Sequence, residues 1–155
     1  MSSQYPGNRD IRELHVGAPP QPRPEPLEAL EREEHTGPFI HVAEYIPVKR
    51  WGHVWPFMKL SMEIYRQART YPGFVAGGIR AKWWRRQFWS YSVWEDRESM
   101  ERFVRSAPHS RAVALIGEVA APGACYVEWT THAPPDWEQA MERLRFPTRY
   151  FVPPG

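Results

Sequence analysis

Between residues 38 and 132 the apolar residues switch repeatedly between two spacings, and the order of the switches leaves few folds open. In PFIHVAEYIP (38–47), FVAGGIRAK (74–82), QFWSYSVWE (87–95) and ACYVEWTTH (124–132) the faces alternate residue by residue, as in a half-buried strand. In the first of these Phe39, His41, Ala43 and Tyr45 share one face, and Ile40, Val42 and Glu44 the other. Between them lie two stretches of helical period. Val54, Met58, Met62 and Tyr65 form one stripe; Pro56 fits only a first turn, so regular helix is expected from about Trp55 to Thr70. Asp96 is an N-cap for a second helix with stripe Met100, Phe103 and Val104. Pro108 interrupts that helix, and His109, Ala112, Val113 and Ile116 continue the stripe beyond it.

The resulting order, β-α-β-β-α-β, is the ferredoxin-like split unit of the α+β class. Such a sheet carries helices on one face only, yet these strands are apolar or aromatic on both. A second subunit covering the other face, giving a homodimeric α+β barrel, meets that need. The expected domain spans 37–133, with the Gly77-Gly78 pair marking a bulge or a close approach to the backbone. Residues 1–36 form a proline-rich N-terminal extension with five prolines within Pro19–Pro26; Leu27–Glu34 can make a short helix. Residues 134–155 form a short helix with stripe Trp137, Met141 and Leu144, then an extended arm expected to pack on a neighbour.

Charge and composition narrow the partners. The net charge is +2, and residues 1–36 hold seven acids against four arginines, which leaves the remainder mildly basic. Lys82-Trp83-Trp84-Arg85-Arg86 combines bases with aromatics, as a base-stacking patch does, but its place between two strands reads better as a solvated hairpin tip. No nucleic-acid partner is expected. No run approaches the ~18 apolar residues of a membrane span, and MSSQYPGNRD lacks a secretory pattern, so a cytoplasmic protein without a membrane partner is expected. The single cysteine, Cys125, excludes an internal disulfide framework.

The stretch FWSYSVWEDRESMERFVRSAPHSRAV resembles the third strand and second helix of the dimeric α+β-barrel superfamily of antibiotic-biosynthesis monooxygenases. The pattern is an aromatic strand ending in Trp94-Glu95, an amphipathic helix with Phe103, then His109; Tyr71-Pro72-Gly73-Phe74 matches the turn into the family's second strand. The resemblance covers residues 38–132. It implies a cofactor-independent monooxygenase acting on an aromatic or polyketide-like molecule of secondary metabolism, with an isomerase or cyclase using the same pocket as an alternative. It also leaves open a haem-binding monooxygenase or dehydratase. In the haem-degrading branch, however, the axial His register falls on Val113, and the Asn of its first strand is missing from FIHVAEYIP. A non-catalytic dimeric binding module, with the proline-rich arm recruiting a partner, is the reading from another class.

His109 is the candidate catalytic base: a helix N-terminus favours neutral imidazole, which can take a proton from a phenol or enol. A histidine that only caps the break fits the same position. Arg80 can hold an anionic oxygen or form a surface ion pair. Trp89, Tyr91 and Trp94 can wall a planar substrate or simply pack, and Tyr65, His41 and His53 can line the same cavity or be satisfied structurally. No helical pair of metal ligands with a third donor, no Gly-rich phosphate loop and no G-x-S-x-G elbow occurs. A reaction here therefore needs no bound cofactor, or a haem.

Overall fold

A computed structural model describes residues 12–14 and 37–155 of the chain. Six strands make one antiparallel sheet: β1 (Arg12–Leu14), β2 (Phe39–Pro47), β3 (Phe74–Lys82), β4 (Gln87–Trp94), β5 (Cys125–Thr131) and β6 (Arg149–Tyr150), ordered β1-β3-β4-β2-β5-β6. The helices are α1 (Trp51–Arg69), α2 (Arg97–Val104), α3 (Ala107–Val119) and α4 (Trp137–Arg143). The inner four strands have the ferredoxin-like order and sequence expected from the spacing. From the N-terminal extension β1 adds to the edge of β3; the Pro19–Pro26 run and the Leu27–Glu34 helix lie outside the described residues.

Several boundaries differ from expectation for identifiable reasons. Helix α1 starts at Trp51, with Pro56 inside it, because Val54 and Met58 anchor its first turns among Val48, Ile79 and Phe88. Proline there removes one early helical hydrogen bond, which that apolar contact offsets. Asp96 does cap α2, its Oδ1 accepting from Ser99 N–H at 2.7 Å. The bulge falls between Phe74 and Ala76, not at the glycine pair. The pair marks close approach instead: a Cβ on Gly77 would stand 2.6 Å from the Tyr91 carbonyl oxygen, and one on Gly78 3.4 Å from the Trp137 indole. Along α3 only Ile116 is fully buried; Val113 points outward at 47 % exposed. The segment Trp83–Arg85 is a 3-10 turn at the β3–β4 tip, closed by Arg86 in the left-handed region (φ 53°).

Strand alternation sorts the core into two layers. On one face Ile40, Ile46, Phe88 and Trp94 pack under α1, α2 and α3. On the other, Ala43, Trp89, Tyr91, Val93, Cys125, Val127 and Trp129 are all buried, packed with Ala140 and Leu144 from α4 and its end. Here the structure departs from the sequence argument. The face left for a second subunit is covered within the chain by α4. The C-terminal arm likewise returns to its own sheet: β6 pairs with Cys125 and Tyr126, and Phe151 N–H donates to the Ala124 carbonyl at 2.8 Å.

Candidate functional site

The helix-covered face is sealed at both ends and loose in the middle. Four rows of cross-strand neighbours cross it. The outer rows, Ala81-Phe88-Ile46 and Phe74-Trp94-Ile40, are buried except for a half-buried Phe74. The inner rows are Ile79-Ser90-Glu44-Tyr126 and Gly77-Ser92-Val42-Glu128, and all of them but Ile79 are half-buried. Strand residues at the centre of a helix-covered face stay half-accessible where the helices pack less closely, so these two rows mark the loosest part of that face.

This part is polar. Ser90 Oγ donates to Glu44 Oε2 at 3.0 Å, and Trp94 Nε1–H donates to Ser92 Oγ at 3.1 Å. The Tyr65 hydroxyl donates to the Gly77 carbonyl at 3.0 Å, tying α1 to β3. Glu128 at the far end pairs with Arg97 at 2.9 Å. Glu44 is visible in the sequence as a charged residue in phase with Ile40 and Val42, but alternation alone does not mark it as part of a site.

His109 is half-buried on α3, on the side that carries Ala112 and Ile116. It follows Phe103, which stacks on Trp94 at one sealed end, and precedes Ile116, which packs with Ile46 at the other. Its ring meets Phe103 edge-on at 5.5 Å, and Nδ1 lies 3.2 Å from the Val104 carbonyl oxygen. A carbonyl only accepts, so Nδ1 carries the proton and Nε2 keeps its lone pair. This is the capping bond that the structural reading of His109 required, and it leaves one ring nitrogen able to take a proton.

The sheet divides the other expected residues. Trp94 and Tyr65 stand on the helix-covered side; His53 lies in the first turn of α1, its Nδ1 buried without a partner. His41, Trp89, Tyr91 and Arg80 face the opposite way, under α4. His41 is fully buried with Nδ1 2.6 Å from Tyr91 Oη, and Asp136 N–H donates to the same oxygen at 3.3 Å. Burial pushes the His41 pKa down and the Tyr91 pKa up. The Arg80 guanidinium lies over the Trp137 ring at 4.4 Å. His41 and Tyr45 were expected to share a face, and they do, but it is not the face the helices cover.

Among the described residues no group of three or more His, Cys, Asp and Glu can hold a metal ion, and no helix is long and apolar enough to cross a membrane. At the register of the haem-degrading branch's axial ligand stands Val113, which has no ligating atom and is largely exposed, so the residues present do not fit a haem held from that position.

No protein-family profile matches the chain, and no curated protein matches it. Solved structures do. A conserved protein from Methanosarcina mazei aligns with a TM-score of 0.54 at 18% identity, covering 61% of this chain and 94% of that one. A Nitrosomonas europaea protein provisionally named an antibiotic biosynthesis monooxygenase gives 0.56 at 16%, covering 65% and 97%. A further antibiotic biosynthesis monooxygenase gives 0.51 at 18%, covering 62% and 99%. Such identities speak for fold, and the aligned share leaves room for the additions at both ends. The chain thus has the ferredoxin-like α+β fold of the antibiotic biosynthesis monooxygenase-like proteins.

Proposed function

We propose that the chain is a cofactor-independent monooxygenase-like enzyme that oxidises an aromatic or polyketide-like phenol above the inner rows of its helix-covered face. The observation that carries this reading is the loose, polar centre between two sealed apolar ends. A purely structural sheet would fill those positions with aliphatic side chains, as it does at Ile46 and Ile40. A planar substrate lies over the inner rows beside Tyr65, and His109 Nε2 takes its phenolic proton. The phenolate gives an electron to dioxygen, and the radical pair joins in a carbon–oxygen bond as a hydroperoxide. Loss of water from that hydroperoxide leaves a quinone, so phenol and dioxygen become quinone and water.

The fold of its solved neighbours, one of them named a monooxygenase, supports this choice. A homodimer, expected from the sequence, would have to meet this chain around α4, which packs on the second face. The test is oxygen uptake by purified protein with naphthol- and anthrone-type phenols, without added metal or cofactor. Uptake that His109→Ala lowers by roughly a hundredfold, within the usual range for a general base, supports the reading. No uptake across the panel, or uptake indifferent to His109→Ala, overturns it.

A further inference from the structure

At one end of the sheet two segments meet whose residues neither the fold nor the proposed reaction uses. They are the start of α1 with the loop before it, and the β3–β4 tip. Val48 N–H donates to the Arg86 carbonyl at 2.8 Å, Arg86 Nε–H donates to the Val48 carbonyl at 3.1 Å, and the Arg86 guanidinium lies 5.3 Å over the Trp51 ring. Three tryptophans stand out from this end: Trp51, Trp55 and Trp84, at 58%, 71% and 53% exposed. Trp51 and Trp55 are one helical turn apart and so share a side of α1. The neighbouring Trp83 is half-buried, packed edge-on against Phe88 at 5.5 Å, so the other three are the tryptophans left exposed at this end.

Around them the charge has one sign. Lys49, Arg50, Lys59 and Arg85 are exposed and Arg86 half-buried, and the sequence has no acid between Glu44 and Glu63 or between Glu63 and Glu95. The ion pairs given by the described residues engage Arg97, Arg102, Arg105, Arg111 and Arg145, all elsewhere. Among the described residues, the acids at the margin are exposed Glu118, next to the Gly117 carbonyl that Lys49 Nζ reaches at 3.4 Å, and Glu63, one turn on from Lys59 and already paired with Arg111.

From this arrangement we infer that the end carrying Trp51, Trp55 and Trp84 docks peripherally on an anionic lipid bilayer. Indole rings settle at the headgroup level of a membrane, and bases beside them are drawn to anionic headgroups. Lysine and arginine stems lie along the apolar boundary while their charges stay in water. A second copy is a poor occupant, since meeting through this end sets five cations against five. Nucleic acid is a poorer one: Arg86 already covers a face of Trp51, and Lys82 Nζ lies 5.8 Å over Trp84, which takes up faces that bases would stack on. Spanning is not involved, so the expectation of no membrane partner gives way only to surface contact.

The test is co-sedimentation of the full chain with vesicles of phosphatidylcholine alone and of equal parts phosphatidylcholine and phosphatidylglycerol. Binding about tenfold tighter to the anionic vesicles, weakened by salt, is expected. The combined variant Trp51→Ala, Trp55→Ala, Trp84→Ala and the pair Arg50→Glu, Arg85→Glu should each lower it by about tenfold. All five side chains are exposed, so folding is kept, which circular dichroism verifies. Equal binding to both vesicles, or variants that bind as the parent does, overturns the inference. Tighter binding of a single-stranded oligothymidine than of anionic vesicles overturns it in favour of a nucleic-acid surface.

Discussion

His41 Nδ1 and Tyr91 Oη, from neighbouring central strands, lie 2.6 Å apart in the layer beneath α4. Because Asp136 N–H donates into the same hydroxyl, the Tyr91 proton is best directed to Nδ1, which places the histidine proton on Nε2. The opposite tautomer would strand both the Tyr91 proton and the Nε2 lone pair. Nε2 has no partner as it is, so a second stranded group would add to a cost already present. Tyr91→Phe should therefore destabilise the fold by about 1–3 kcal/mol, read from the urea midpoint.

The same pair sets a pH dependence. Burial holds the His41 pKa below its ordinary 6.5, so at mildly acid pH the unfolded chain binds a proton that the folded chain refuses. The contribution is complete above 6.5 and is lost as pH falls below it. Melting temperature should drop between about pH 6.5 and 5, and His41→Phe should flatten that slope. An unchanged slope in the variant would assign the dependence to another group.

Helix α4 is the chain's own cover for the second face, which makes its removal informative. Leu144 is 1% exposed against that layer, and Leu144→Ala should cost about 2–5 kcal/mol. Ending the chain at residue 133 goes further, because it bares Tyr91, Val127 and Trp129 together. The truncated protein should form larger assemblies than the full chain or precipitate, as size-exclusion chromatography reports.

The order of elements was legible in the sequence because each strand and helix keeps its period over most of its length, and Asp96 and Pro108 announce where α2 and α3 begin. What was not legible depends on sidedness. Alternation shows that His41, Tyr45 and Ala43 share a face with one another, but not which face the helices choose. The face turned on α4: Trp137, Met141 and Leu144 read correctly as an apolar stripe, yet nothing in their spacing says that they fold back on their own sheet. Val113 failed for a related reason: it sits at one edge of the α3 stripe, about 40° round from His109 and away from Ala112 and Ile116, and that edge is left exposed.

Cys125 tests the closed character of that second layer. Burial, with the Glu44 charge adding, pushes its thiol up to about 11, so it stays protonated and unreactive at neutral pH. A disulfide reagent should leave the native protein almost unlabelled at pH 7.5 and label it fully in denaturant. Fast labelling of the native chain would mean that the cover formed by α4 opens readily.

Glu44 separates a site from a structural accident. It stands in phase with Ile40, Val42 and Ile46, under helices, where an aliphatic residue would add apolar burial and tighten the packing. Its bond from Ser90 is half-exposed, and water can replace it once the carboxylate is gone. Glu44→Leu should therefore raise stability, by about 0.5–2 kcal/mol, while abolishing oxygen uptake with any phenol that the parent oxidises. That opposition between stability and activity is expected where a polar group is kept for function. If the variant instead melts lower by a similar amount, Glu44 and Ser90 hold the strands together, and the looser packing above them is not kept for a substrate.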